Sequence, residues 1–219
     1  LLVNAKLVYP RLALANTLLM STTTRMSSVE RRAAIIDTAM RLFGERGFRG
    51  VTTRELAAAV GVSEPVLYQH FPSKRDLYTA IIETVMGSEV EMRLPAVLND
   101  PQYGVRQVFQ VLAKLAWEWH QINANYVRLI YFAALERHEL AELAYQRHEV
   151  SFCSQVRQYV QAQIEAGHLR QANADAIMFG FLGIVSDAAK KNIFFPSATI
   201  PNLSEMIDLY LDGIVAPKN

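Results

Sequence analysis

From residue 28 onward apolar side chains recur at helical intervals almost without a break, and no stretch alternates apolar and polar positions as a half-buried strand does. The first run predicts a helix over residues 28–46. Ile35, Ala39, Leu42 and Phe43 fall on one face of it. Gly47 ends this run, and Gly50 permits the turn that follows. The next stretch is dense in boundary signals. Thr52 with Glu55 three residues later forms a capping box, and Leu56, Ala57 and Val60 make the buried stripe of a short helix. Gly61 supplies a left-handed turn residue. Ser63 can cap a second short helix, whose first turn tolerates Pro65 because the missing N–H had no partner there. Leu67 and Phe71, four apart, face inward; Pro72 ends the helix, and Ser73 with Asp76 caps the next.

The remaining pattern predicts five or six more helices. One runs over 73–94 and is stopped by Pro95, and a second covers 101–122 with Val108, Leu112, Leu115 and Trp119 on one side. A third spans 123–137 with Tyr126, Ile130 and Tyr131. A long one spans 140–165 with Phe152, Val156, Tyr159 and Ile164, ending at Gly167. Helices over 174–194 and 203–215 complete the set, separated by the turn around Pro196 and Pro201. The expected fold is all-α.

Bulk composition changes this picture little. Hydrophobic residues make up 51% and charged residues 20% of 219, ordinary for a globular chain. A single cysteine, Cys153, excludes an internal disulfide framework and a thiolate metal cluster, and it fits a reducing, cytoplasmic compartment. No run of about 20 apolar residues offers a membrane span, so no membrane partner is expected. Residues 1–24 carry no acid, and Lys6, Pro10 and Arg11 interrupt their apolar run. Residues 1–27 read as a disordered leader or an artefact of the gene start, with translation beginning at Met20 or Met26.

Charge is more telling when divided along the chain. The formal total is +1, yet residues 25–75 hold nine Lys/Arg against five Asp/Glu, whereas residues 76–219 hold 11 against 16. A basic head on an acidic body suits contact with a polyanion.

Two short helices joined through Gly61 have the form of a helix-turn-helix. With Leu67 and Phe71 inward, the residues Pro65, Val66, Tyr68, Gln69 and His70 are left outside. An apolar residue beside Gln and Tyr suits a major groove better than water: Val66 can meet a thymine methyl and Gln69 an adenine edge. Tyr68, His70 and Thr53 can donate to phosphate oxygens. Lys74 stands at a helix N-terminus that already favours an anion. Arg54 can reach a base or a phosphate, and Glu64 can accept from cytosine or repel wrong sites. Thr52 and Ser63, which cap the two helices, are counted with this face.

The stretch Thr52-Thr-Arg-Glu-Leu-Ala-Ala-Ala-Val-Gly-Val-Ser-Glu-Pro-Val-Leu-Tyr-Gln-His-Phe-Pro-Ser-Lys resembles the DNA-binding domain of the tetracycline-repressor (TetR) family. The likeness extends upstream through residues 35–47 and covers about 50 residues. It implies that Thr53, Arg54, Glu64, Pro65, Val66, Tyr68, Gln69, His70 and Lys74 face double-stranded operator DNA, with phosphate at Tyr68, His70 and Lys74. It also implies a three-helix DNA-binding domain at 28–74 and a helical effector-binding and dimerisation domain at 75–219. In such proteins the last two helices pair with a second subunit. Ala176, Gly180 and Gly183 give the penultimate helix a small-residue side that suits a homodimer seam or an intramolecular one. Trp117, His120, Tyr126, Tyr131 and Phe152 are candidates for the lining of a small-molecule effector site, since each offers a large apolar body and most a polar tip.

An enzymatic role has little support. Cys153 sits mid-helix among apolar neighbours, where a thiol is inert. Glu165 and His168 form one carboxylate–histidine pair where di-iron bundles need two, and His138-Glu139 and His148-Glu149 do not make the two-histidine zinc motif. No cofactor is expected. A helical partner-binding protein with a merely structural helix-turn-helix is the remaining alternative. The expected function is a transcriptional regulator, most simply a repressor that a small molecule releases from DNA.

Overall fold

The computed structural model describes residues 26–87 and 89–215; the expected leader lies, apart from Met26 and Ser27, outside the described residues. The described residues divide into two units, one ending at Ala33 and the other beginning at Ala34. In the first, Ser27 and Glu30 form a reciprocal cap: the Ser27 N–H donates to the Glu30 carboxylate at 2.8 Å, and the Glu30 N–H donates to the Ser27 hydroxyl at 3.2 Å. This opens helix α1 (Ser28–Arg46).

Ten further helices follow among the described residues. They are α2 (Thr53–Val60), α3 (Glu64–His70), α4 (Lys74–Met86), α5 (Glu89–Leu98), α6 (Val105–Ile122), α7 (Ala124–Leu135), α8 (Glu139–His148), α9 (Ser154–Glu165), α10 (Ala174–Phe194) and α11 (Leu203–Ile214). The all-α expectation is met. A single isolated bridge pairs Leu169 with Val215.

Two helix assignments read from the sequence differ. The helix expected over 73–94 breaks at Gly87, and Pro95 lies inside α5 instead of ending its predecessor. An interior proline forfeits its own N–H bond and crowds the carbonyl four residues back, yet α5 continues past it, with Leu94 buried in the core. The helix expected over 140–165 is divided by a π turn at Glu149–Cys153. Such a turn widens the coil by one residue and re-aims the side chains around it. Periodicity alone cannot show a single inserted residue.

Apolar burial within residues 34–219 gathers into two cores. The first joins Ile35, Ala39, Leu42 and Phe43 of α1 with Leu56, Leu67, Phe71, Leu77, Tyr78 and Ile81 of α2–α4, and with Tyr126, Leu129 and Ala133 of α7 and Leu140 and Ala144 of α8. The second joins α5, α6 and α9–α11 through Phe109, Leu112, Val156, Val160, Phe181, Val185, Ile207 and Leu211. The helix-turn-helix therefore shares one core with α7 and α8.

Candidate nucleic-acid interface and ligand cavity

The capping box at the start of α2 is formed. Thr52 Oγ1 accepts from the Glu55 N–H at 3.2 Å, and the Glu55 carboxylate accepts from the Thr52 N–H at 2.7 Å. Arg46 holds the same carboxylate at 2.9 Å. The Thr52 backbone and hydroxyl donors, with Arg46, bring the Glu55 pKa down to about 2. Gly61 ends α2 at φ 78°, the left-handed conformation its position demands. Ser63 occupies the cap of α3 with extended backbone but makes no side-chain cap bond, so α3 starts on Pro65 and backbone geometry.

Leu67 and Phe71 are buried, and this fixes the outward face of α3. Pro65, Tyr68 and Gln69 are exposed, while Glu64, Val66 and His70 are half-buried beside them. On α2 and its cap, Thr52 and Arg54 are exposed and Thr53 is half-buried. A hydrogen-bonded chain ties the two helices: Tyr68 donates to Thr53 Oγ1 at 3.3 Å, and Thr53 donates to Glu64 Oε1 at 2.9 Å. The sequence reads Glu64 as a base contact or a repulsive charge; here its carboxylate is engaged by Thr53 and holds the first turn of α2 to that of α3.

Lys74 lies at the start of α4 as expected, but its ammonium is turned in. It donates to the Phe48 carbonyl and stands 4.1 Å from the centroid of the Phe48 ring and 5.3 Å from that of Phe43. Burial lowers its pKa against the opposing pull of Glu136 and Glu55. With the face open to water, aromatic rings and a carbonyl are the partners within reach.

A cavity of about 400 Å³ lies between α6, α7, α8, the π turn and α10, open to solvent where Tyr131, Tyr145 and Phe179 are exposed. It brings together three of the five residues expected to line an effector site: His120, Tyr131 and Phe152. Trp117 does not join them. Residues 117 and 119 point to different sides of α6, and Trp117 lines a surface cleft beside Leu203 and Ser204 of α11. Tyr126 is buried in the first core, edge-on to Trp119 at 6.0 Å between centroids. The cavity is completed by Trp119, Tyr145, His148, Glu149, Cys153 and residues of α10, none of which the sequence reading selected. A signal existed. Tyr145, His148, Glu149, Phe152 and Cys153 share one helical face that is aromatic and polar where a core face would be aliphatic.

Burial disfavours the charged form of three groups in the cavity. Burial lowers the pKa of His120 and of His148. Burial pushes the Cys153 thiol up to about 12, so it is not a nucleophile at neutral pH. Glu149 is ion-paired with Arg157, which also holds Asp175.

On the small-residue side of α10, Gly180 has an intramolecular reason. A Cβ there would lie 3.1 Å from the Tyr210 ring of α11, whose hydroxyl donates to the Ile177 carbonyl at 2.5 Å. A Cβ at Gly183 would meet nothing within 4 Å.

The described residues define the class of this protein: a helical chain with an N-terminal helix-turn-helix set among basic residues. Residues 35–81 match the family described as "Bacterial regulatory proteins, tetR family". Residues 35–81 are thus a domain of the TetR family. The tetracycline repressor protein class D of Escherichia coli is 38% identical over 65 residues, which are 30% of this chain and 30% of that protein. The match thus spans under a third of that relative's length. Solved structures extend the likeness in fold across the body. A TetR family transcriptional regulator from Pseudomonas syringae pv. tomato superposes with a TM-score of 0.65 at 20% identity, covering 88% of this chain and 100% of that one. AibR, in complex with isovaleryl coenzyme A and operator DNA, gives a TM-score of 0.62 at 21% identity over 84% of this chain and 97% of its own. Among the described residues no helix is long and apolar enough to cross a membrane.

Proposed function

We propose that this chain is a sequence-specific, DNA-binding transcriptional regulator of the cytoplasm, acting as a homodimer and released from its operator by a small molecule. The observation that carries the reading is the outward face of α3. Val66, Tyr68 and Gln69 stand away from the core while Leu67 and Phe71 anchor the helix behind them. In this reading residues 28–74 bind DNA and residues 75–219 bind effector and partner. Val66 and Gln69 read base edges, with Glu64, Pro65 and Arg54 beside them; Thr53, Tyr68 and His70 take phosphate. Lys74 reaches phosphate by leaving Phe48, exchanging a carbonyl and two ring faces for a full negative charge. Thr52 and Ser63 act through the helix starts they cap.

Exposed apolar and small residues on the last two helices support a dimer seam: Ala176 on α10, with Leu209 and Gly213 on α11. A two-fold dimer requires an inverted-repeat operator, with half-sites about 34–36 Å apart or somewhat more. An effector weakens DNA binding only as far as it prefers the state whose heads are wrongly spaced.

The test is selection of bound duplexes from a random pool, followed by titration of the selected site at two salt concentrations. Six to ten phosphate contacts would lower the affinity by about 10³–10⁵ between 50 and 200 mM salt. A purified protein that retains no duplex preferentially, at any salt, overturns the reading.

A further inference from the structure

The cavity between α6, α7, α8, the π turn and α10 has a composition that restricts what it can hold. At about 400 Å³ it is at the small end of sites for drug-sized ligands, roughly 300–1,000 Å³. Its walls carry Trp119, Tyr131, Tyr145, Phe152 and Phe179 together with the rings of His120 and His148. The His148 ring is stacked on Phe152, 9° from parallel with centroids 5.6 Å apart. Flat faces of this kind favour offset or edge-on contact with another flat ring.

The polar groups are few and specific. His120 Nδ1 lies 2.7 Å from the Ala116 carbonyl, which can only accept, so the proton sits on Nδ1. In the neutral ring Nε2 is then an acceptor. Burial keeps both histidines below their ordinary pKa, so this tautomer prevails at neutral pH. Trp119 Nε1–H is a buried donor with no partner, and a buried donor left unmet is costly. The indole N–H is covered by the chain, so the acceptor the cavity offers is His120 Nε2.

Charge excludes another class. Among the lining residues there is no Lys or Arg, and the one formal charge is Glu149. Lys190 stands over the Tyr131 ring at 5.6 Å from its centroid, and Arg157 is taken by Glu149 and Asp175. A phosphate-bearing ligand such as a coenzyme A thioester would meet a carboxylate and no free cation in these walls.

Gly183 supplies an independent observation. Inside a 21-residue helix a glycine costs about 1 kcal/mol relative to alanine. At Gly180 the Tyr210 ring explains the missing side chain; at Gly183 no atom of the described residues does, and the position opens on the cavity.

We propose that this cavity binds a compact, flat, uncharged aromatic molecule bearing a hydroxyl at one edge. The hydroxyl donates to His120 Nε2, and the rings fill the space left at Gly183. This names the effector class of the regulator reading and rests on that reading only for its effect on DNA.

Calorimetric titration of the full chain at neutral pH tests it, with 2-naphthol and naphthalene-2-sulfonate as probes of one ring system and different charge. The naphthol is expected to bind one per chain, and the sulfonate at least about tenfold more weakly, the loss of one buried hydrogen bond plus a repulsive charge. Gly183→Leu should abolish naphthol binding while thermal stability is kept or raised. His120→Phe, which keeps an aromatic body, should weaken naphthol by about tenfold and leave the sulfonate unchanged. Sedimentation of both variants reports whether the oligomeric state is altered; if Gly183→Leu alters it, His120→Phe decides. Absence of naphthol binding, equal or tighter binding of the sulfonate, or indifference to His120→Phe overturns the proposal. Operator titration without ligand is run separately. Naphthol that binds but leaves operator affinity unchanged supports the ligand class and overturns release; failure to find any operator beside intact naphthol binding overturns the regulator reading alone.

Discussion

Gly44 lies in the last turns of α1, at the place where the helix-turn-helix core meets α7. A Cβ added there would sit 2.5 Å from the Asn125 carbonyl oxygen and 3.2 Å from its carbon. Carbon and oxygen in favourable contact stand about 3.3–3.6 Å apart, so the helices must separate by close to an ångström. The obstacle is backbone in the first turn of α7 and cannot swing aside as a side-chain tip would. Overpacking of this kind costs about 1–3 kcal/mol. Opposing it is the gain from replacing glycine by alanine in a helix, at most about 1 kcal/mol and less near a helix end. The balance for Gly44→Ala is a loss of about 1–2 kcal/mol. For a chain of this size about 2–4 °C of Tm accompanies each kcal/mol, so Tm should fall by about 2–8 °C. Gly183→Ala is the matched control. Its Cβ meets nothing, so the same replacement should stabilise by about 0.5–1 kcal/mol. Thermal unfolding followed by far-ultraviolet circular dichroism gives both signs. Two variants of equal stability would refute the close approach of α1 to α7. Operator affinity should also fall in Gly44→Ala, since α1 carries the helix-turn-helix.

Other expectations follow from single groups. The Tyr78 hydroxyl is buried without a hydrogen-bond partner, and burial raises its pKa; Tyr78→Phe should leave Tm unchanged or raise it, because no bond is lost. Tyr68→Phe should weaken operator binding by about tenfold at low salt, through loss of a bond to phosphate and release of Thr53, with little change in Tm. His120 and His148 titrate in the unfolded chain near pH 6.5 and lower in the folded one. The unfolded state therefore binds more protons below that pH, and stability complete above about pH 6.5 is lost as pH falls through the depressed values. Melts between pH 7.5 and 5.5 should show the decline, and His120→Phe should flatten it. Glu55, with a pKa of about 2, gives its share of stability above about pH 4.3 and loses it in stronger acid; Glu55→Gln should remove that acid-side dependence.

The sequence by itself determined what depends on neighbours a few residues apart. The capping box of Thr52 and Glu55, the left-handed Gly61 and the inward Leu67 and Phe71 are local chemistry, and they suffice to define α2, α3 and the face turned outward. The same holds for the all-helical class, because a 3.6-residue period is written along the chain. Tertiary structure alone decided which distant helices share a wall. Trp117 and Tyr126 looked as suitable for a cavity as His120 and Phe152, and only the packing of α6 against α8, α10 and α11 separates them. The π turn at Glu149–Cys153 divides α8 from α9 through one inserted residue that no period reveals. Glu64 and Lys74 read as free charges in sequence because their partners, Thr53 and the Phe48 carbonyl, lie 11 and 26 residues away. Side-chain pairing across such separations is fixed by the whole fold, and pattern along the chain carries no trace of it.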